Sequence, residues 1–239
     1  MNPVALVTGA GRGLGADLIR HLALDGYSVA IHARRSIESA TDLTIELMNA
    51  GVDAFLVRGN LADELQAWGI IHEIADHFGR LDILINNSGD YEPEELGQTG
   101  RHSWDRGIDS TAAATFFTTR AALPLLRLAG QGRVVNIGDS SCDHPGARDL
   151  ALSYHIGKTG VLMITKSFAV AEAEHGVTVN MVSPGYLDNS VDLPHPSLIP
   201  ANRYGSHSDI YQAVRFLIQP EAGYLTGSHL VVSGGWNLR

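Results

Sequence analysis

The chain has 239 residues, 44% of them hydrophobic and 18% charged, which suits one large globular domain with a sizeable core. Its formal charge of −9, from 17 basic and 26 acidic residues, argues against a surface for nucleic acid or anionic membrane. A single cysteine, Cys142, excludes an intrachain disulfide, reads as packing rather than as a nucleophile, and points to a reducing, cytoplasmic home.

Short, mostly continuous apolar runs alternate with segments of helical length from one end to the other. The first run, Val4–Thr8, turns through Gly9-Ala-Gly-Arg12-Gly13-Leu14-Gly15 into a helix predicted over 14–26. Glycines after a buried strand let a backbone approach a pyrophosphate, and the helix that follows supplies N–H groups and a positive dipole end. The second run, Ser28–Ala33, ends in His32-Ala-Arg34-Arg35-Ser36 before a helix over 37–50. No carboxylate stands at that turn to hold the ribose hydroxyls of NAD. Arg34, Arg35 and Ser36, with Arg12 across the glycine turn, form a donor cluster that favours the 2′-phosphate of NADP(H).

The third run, Ala54–Arg58, precedes Asn60-Leu61 and a helix over 63–78, and the fourth, Ile83–Asn86, runs into Asn87-Ser88-Gly89. A long helix is predicted over 103–128, then a fifth run, Arg133–Ile137, and a helix over 152–175. That helix opens with Tyr154-His-Ile-Gly-Lys158, which puts a phenol and an amine on one face, although only two of the 17 basic residues are lysines. A phenol near an ammonium can exchange a proton with a carbonyl or imine while hydride moves. The sixth run, Thr178–Ser183, leads through Pro184-Gly185 into a proline-rich loop, 188–209, expected to cover a substrate; a helix over 208–218 and the run His229–Val232 complete the chain. This succession predicts one domain over 1–239, an α/β, doubly wound parallel sheet of about seven strands with helices on both faces. No membrane span, signal peptide or metal is expected.

In their order, these motifs resemble the short-chain dehydrogenase/reductase family: Thr8-Gly9 through Gly13 and Gly15, Asn60-Leu61, Asn86 to Gly89, Tyr154 with Lys158, Pro184-Gly185, and Tyr224-Leu-Thr-Gly227. The resemblance implies a Rossmann-type, NADP(H)-dependent oxidoreductase with Tyr154 and Lys158 as its proton pair. It implies cofactor contacts at the glycine turn, at Asn60 and Leu61, at Asn87, Ser88 and Gly89, and at Pro184, Gly185 and the Leu187 backbone. It further implies a small-molecule substrate and a homo-oligomer, tetramer or dimer, built on the two long helices.

Two positions depart from the family. Thr111 stands where most members carry an asparagine that holds a relay water. Asp139 aligns with the substrate-orienting serine, while counting back from Tyr154 lands on Ser141. An aspartate there resembles the pteridine reductases, as do His32, Arg35 and Ser36 and an aromatic at Tyr91. Substrate contacts are thus expected from Tyr91, Asp139 and Tyr186, with a pterin-like heterocycle preferred. Gly13 and Gly89 instead resemble 3-oxoacyl-carrier-protein reductases, for which Arg101, Arg148 and Arg203 are candidate rim residues. A degenerate NADP(H)-binding sensor is the alternative outside catalysis.

Overall fold

A computed structural model describes residues 2–142, 144, 146–191 and 193–238. Seven strands form one parallel sheet: β1 Val4–Val7, β2 Ser28–Ala33, β3 Ala54–Arg58, β4 Ile83–Asn86, β5 Arg133–Ile137, β6 Thr178–Pro184 and β7 His229–Val232. Their order is β3-β2-β1-β4-β5-β6-β7, every neighbouring pair parallel. The chain winds outward from β1 to β3, then returns to β4 on the other side of β1. That reversal opens a crevice at the carboxyl ends of β1 and β4.

The helices are α1 Gly13–Leu24, α2 Ile37–Asn49, α3 Glu64–Phe78, α4 Arg101–Ile108, α5 Ala114–Leu128, α6 Leu152–Glu172 and α7 His207–Ile218. Strand side chains alternate between two cores, because successive residues point to opposite faces. Ala5 and Val7 join Leu18, Ile19, Leu43 and Val214 beneath α1, α2 and α7. Val4 and Leu6 join Ile70, Ile74, Ala121 and Leu126 beneath α3 and α5. Burial on both faces explains why the strands read as continuous apolar runs. Local chemistry fixes several helix ends. Asp63 caps α3 by accepting the Gln66 N–H at 3.0 Å, and Gly79, at φ 71°, ends it.

The helix predicted over 103–128 is interrupted. Asp109–Ala113 forms a π-helical turn between α4 and α5. There the Thr111 hydroxyl turns back onto its own backbone, donating to Gly107 O at 2.6 Å, with Ile108 O at 3.3 Å. Gly157 of α6 packs against that hydroxyl so closely that a Cβ would collide with it. The loop expected over 188–209 gives way to α7 at His207; Asp192 lies outside the described residues. No helix among the described residues is long and apolar enough to cross a membrane.

Candidate active site

The glycine turn is stitched to its neighbours by side chains. Thr8 Oγ1 accepts the Asn87 and Ser88 N–H groups, each at 3.0 Å. Asn87 Nδ2 donates back to Thr8 O at 3.0 Å and Gly9 O at 3.2 Å. His32, 3% exposed, accepts the Gly9 N–H on Nδ1 at 3.2 Å, and its Nε2 meets Gly59 O at 3.1 Å. This places the proton on Nε2 and ties the ends of β1, β2 and β3 together. Burial is the main cause that lowers the His32 imidazole to about 4, so the ring is neutral.

Around this frame Gly9, Arg12, Arg34, Arg35, Ser36, Asn60, Leu61, Asn87, Ser88 and Gly89 line one solvent-open cleft. Glycine has distinct uses along the turn. Gly13 sits at φ 56°, in the left-handed region that favours glycine. At Gly15 a Cβ would lie only 2.5 Å from Gly9 O. Gly15 therefore serves close packing, and Leu14 packs against the core.

The cleft suits a dinucleotide with a 2′-phosphate. Helix α1 starts there without a capping side chain or an acidic residue in its first turn, whereas α3 and α7 are capped by Asp63 and Ser206. Its unsatisfied N–H groups thus remain available to an anion. Arg12, Arg34 and Arg35 border the same opening, and the described residues contain no cluster able to hold a metal ion.

The cleft runs into the tyrosine–lysine pair. A Cβ built on Gly89 would lie 3.2 Å from Lys158 Nζ and 3.5 Å from Tyr154 Cε2. Lys158 is buried and donates to Ile137 O at 2.6 Å; its Nζ stands 5.7 Å from the Tyr154 ring centre. Burial lowers the ammonium to about 8. Burial first, then the negative charge of Asp139, pushes the Tyr154 phenol well above its ordinary value. The sequence suggested that a neighbouring ammonium would favour the phenolate. In the structure the lysine is engaged by a carbonyl, and the tyrosine holds its proton.

Asp139 and Ser141, alternatives for one position in the sequence, form one bonded unit. Asp139 Oδ1 accepts the Ser141 N–H at 2.8 Å and the Ser141 hydroxyl at 2.5 Å. Tyr91 meets Tyr154 edge to face, with ring centres 5.2 Å apart. Cys142 packs with Val161, Leu162 and Met181. Tyr186 stacks edgewise on Trp236 at 5.0 Å, and a Cβ on Gly185 would strike Ser233. The Leu187 N–H donates to Ser190 Oγ at 3.0 Å. The loop that follows reaches back over the glycine turn, with Asn189 Nδ2 3.9 Å from where a Gly13 Cβ would be. Arg101 and Arg203 are paired with Asp105 and Asp209 on their own segments. Arg148 lies close enough to His155 to oppose its protonation.

Sequence reasoning missed Asp90, Arg106 and Ser110, which also border the cleft. Ser110 Oγ accepts the Asp90 N–H at 3.1 Å. No local pattern marks these residues: Asp90 lies in the loop after β4, Arg106 in α4 and Ser110 in the π-helical turn.

A family model described as short chain dehydrogenase matches residues 3–194. The chain is 34% identical to the 3-oxoacyl-[acyl-carrier-protein] reductase FabG of Staphylococcus aureus strain N315, over 98% of each chain. It is 33% identical to the 3-oxoacyl-[acyl-carrier-protein] reductase of Synechocystis, over 97% of this chain and 96% of that one. Among solved structures it resembles a blue fluorescent protein from a metagenomic library in complex with NADPH, with 31% identity, a TM-score of 0.90 and 98% coverage of both chains.

Proposed function

The chain belongs to the short-chain dehydrogenase family and is an oxidoreductase, and from that premise we propose that it uses NADPH to reduce the ketone of a 3-oxoacyl thioester. The observation that carries this proposal is the junction at Gly89, where the nucleotide cleft abuts Tyr154 and Lys158. A bound dihydronicotinamide supplies hydride there. Tyr154, held protonated by burial, donates its proton to the carbonyl oxygen. That protonation state suits reduction, since a phenol raised in this way is loaded as an acid. Lys158, fixed by Ile137 O, keeps a positive charge beside the reacting oxygen below about pH 8. Arg34, Arg35 and Ser36 hold the 2′-phosphate, Arg12 closes on it from the glycine turn, and Asn60 and Leu61 frame the adenine. Pro184, Gly185 and Leu187 border the nicotinamide, with the Leu187 N–H turning to it from Ser190.

The names of the two relatives favour the thioester over the pterin-like heterocycle preferred from the sequence. Asp139 beside Tyr154, with Tyr91 at its edge, supports the heterocycle as a second reading. The partners in this proposal are the small substrate and further copies of the chain, with the exposed Phe116, Met163 and Val170 of α5 and α6 as the contact face.

The deciding experiment follows NADPH oxidation by the purified protein with an acetoacetyl thioester and a dihydropterin side by side. Faster turnover of the thioester is expected. Faster turnover of the dihydropterin would move the assignment to the heterocycle, and NADPH binding with neither substrate turned over would leave a sensor.

A further inference from the structure

Asp90 borders two cavities at once: the nucleotide cleft, and a smaller pocket beside Tyr154 that Arg106 and Glu92 also line. Its carboxylate is paired with Arg35, which rises from the turn after β2. Strand β1 lies between β2 and β4, so this ion pair spans the end of β1, above the glycine turn. The same carboxylate oxygen lies 4.0 Å from Arg106 Nε, and Arg106 is paired with Glu92. The backbone of Asp90 is anchored to the π-helical turn through Ser110, so its carboxylate has two guanidiniums within reach from a fixed base.

We propose that Asp90 is a specificity-determining residue that holds Arg35 across the mouth of the cleft until a 2′-phosphate displaces it, whereupon its carboxylate turns to Arg106. The proposal rests on the NADPH reading above, and adds a residue that works against the bound phosphate rather than for it. A phosphate of about −2 charge competes well for a guanidinium. A neutral ribose hydroxyl does not, so NADH leaves the Arg35–Asp90 pair closed. The pair is weak enough to open, since its side chains are 58% and 33% exposed. Exposed pairs of this kind shift an equilibrium by no more than roughly fivefold. Selectivity then has two parts: Arg35 attracts the 2′-phosphate, and Asp90 sets how much of that attraction is realised. The pocket beside Tyr154 would register the exchange through Arg106.

The test measures dissociation constants for NADPH and NADH by direct titration, without turnover, in four proteins: the parent, Asp90→Asn, Arg35→Ala and the double variant. Asp90→Asn removes both the competitor and its repulsion of the phosphate. It is expected to tighten NADPH roughly three- to tenfold and to leave NADH within about twofold. Arg35→Ala is expected to weaken NADPH roughly tenfold or more, and in that background Asp90→Asn should tighten NADPH by no more than about twofold, the part due to lost repulsion alone. Unchanged or weaker NADPH binding in Asp90→Asn, with the parent still preferring NADPH, would overturn the role of Asp90 alone. A parent without preference for NADPH over NADH would overturn this role together with the cofactor reading.

Discussion

The nucleotide side and the proton-transfer side of the crevice are built by different means. On the nucleotide side, groups sit at strand ends and are fixed by backbone bonds: Thr8 to Asn87 and Ser88, and His32 to Gly9 and Gly59. On the proton-transfer side Lys158 is held by Ile137 O at the end of β5, but the helix that carries it and Tyr154 is placed by packing between segments far apart in sequence, as where Gly107 and Gly157 allow α4, the π-helical turn and α6 to meet. The first side is rigid because the sheet is rigid. The second is only as well placed as its helix contacts.

That contrast breaks most sharply at Tyr154. Tyr154→Phe removes the proton and keeps the ring against Tyr91, so thioester turnover should fall roughly a hundred- to ten-thousand-fold. NADPH affinity, measured by titration, should stay within about twofold; a comparable loss of both would mean that the two sides are not separable.

His32 sharpens the contrast from the other side. Its imidazole is lowered from 6.5 to about 4 in the folded chain. As pH falls below 6.5 the unfolded chain takes up the proton first, so the stability His32 contributes above that pH is lost progressively toward pH 4. The full loss is on the order of 3 kcal/mol. Urea unfolding between pH 4 and 7 should show this slope in the parent and a flatter one in His32→Asn. Equal slopes would place the acid sensitivity elsewhere.

The smallest effect is expected at Gly157→Ala. The added methyl group must push Thr111 away, costing about 1–3 kcal/mol of stability. Turnover should fall more than NADPH affinity, because the displaced helix carries Tyr154. A stability change near zero would show that the contact between α6 and the π-helical turn yields easily.

The same division explains what could be read from the sequence. All seven strands fall where apolar runs are bounded by turns, and the glycine turn, the arginine cluster and Tyr154 with Lys158 are local patterns. Continuous burial and helix spacing are short-range consequences of the chain. Asp90, Arg106 and Ser110 were not legible, since each acquires its place from a tertiary contact. The break in the helix predicted over 103–128 was not legible either: at it Thr111 packs against Gly157 of α6, a contact between segments far apart in sequence. Asp139 and Ser141 could not be separated by counting, and the structure bonds one to the other.

The π-helical turn at Asp109–Ala113 acts as a phase shift. Each residue of an α-helix advances about 100° around its axis. One residue more in a turn therefore rotates everything downstream by that angle relative to what precedes it. Upstream, Gly107 is aimed at α6; downstream, Ala121 and Leu126 are aimed at the sheet. Deleting a single residue here would leave two respectable amphipathic halves with incompatible bearings. Length in this segment is thus constrained more tightly than composition: a homologous chain could exchange Thr111 or Ala112 for other residues more readily than it could do without either.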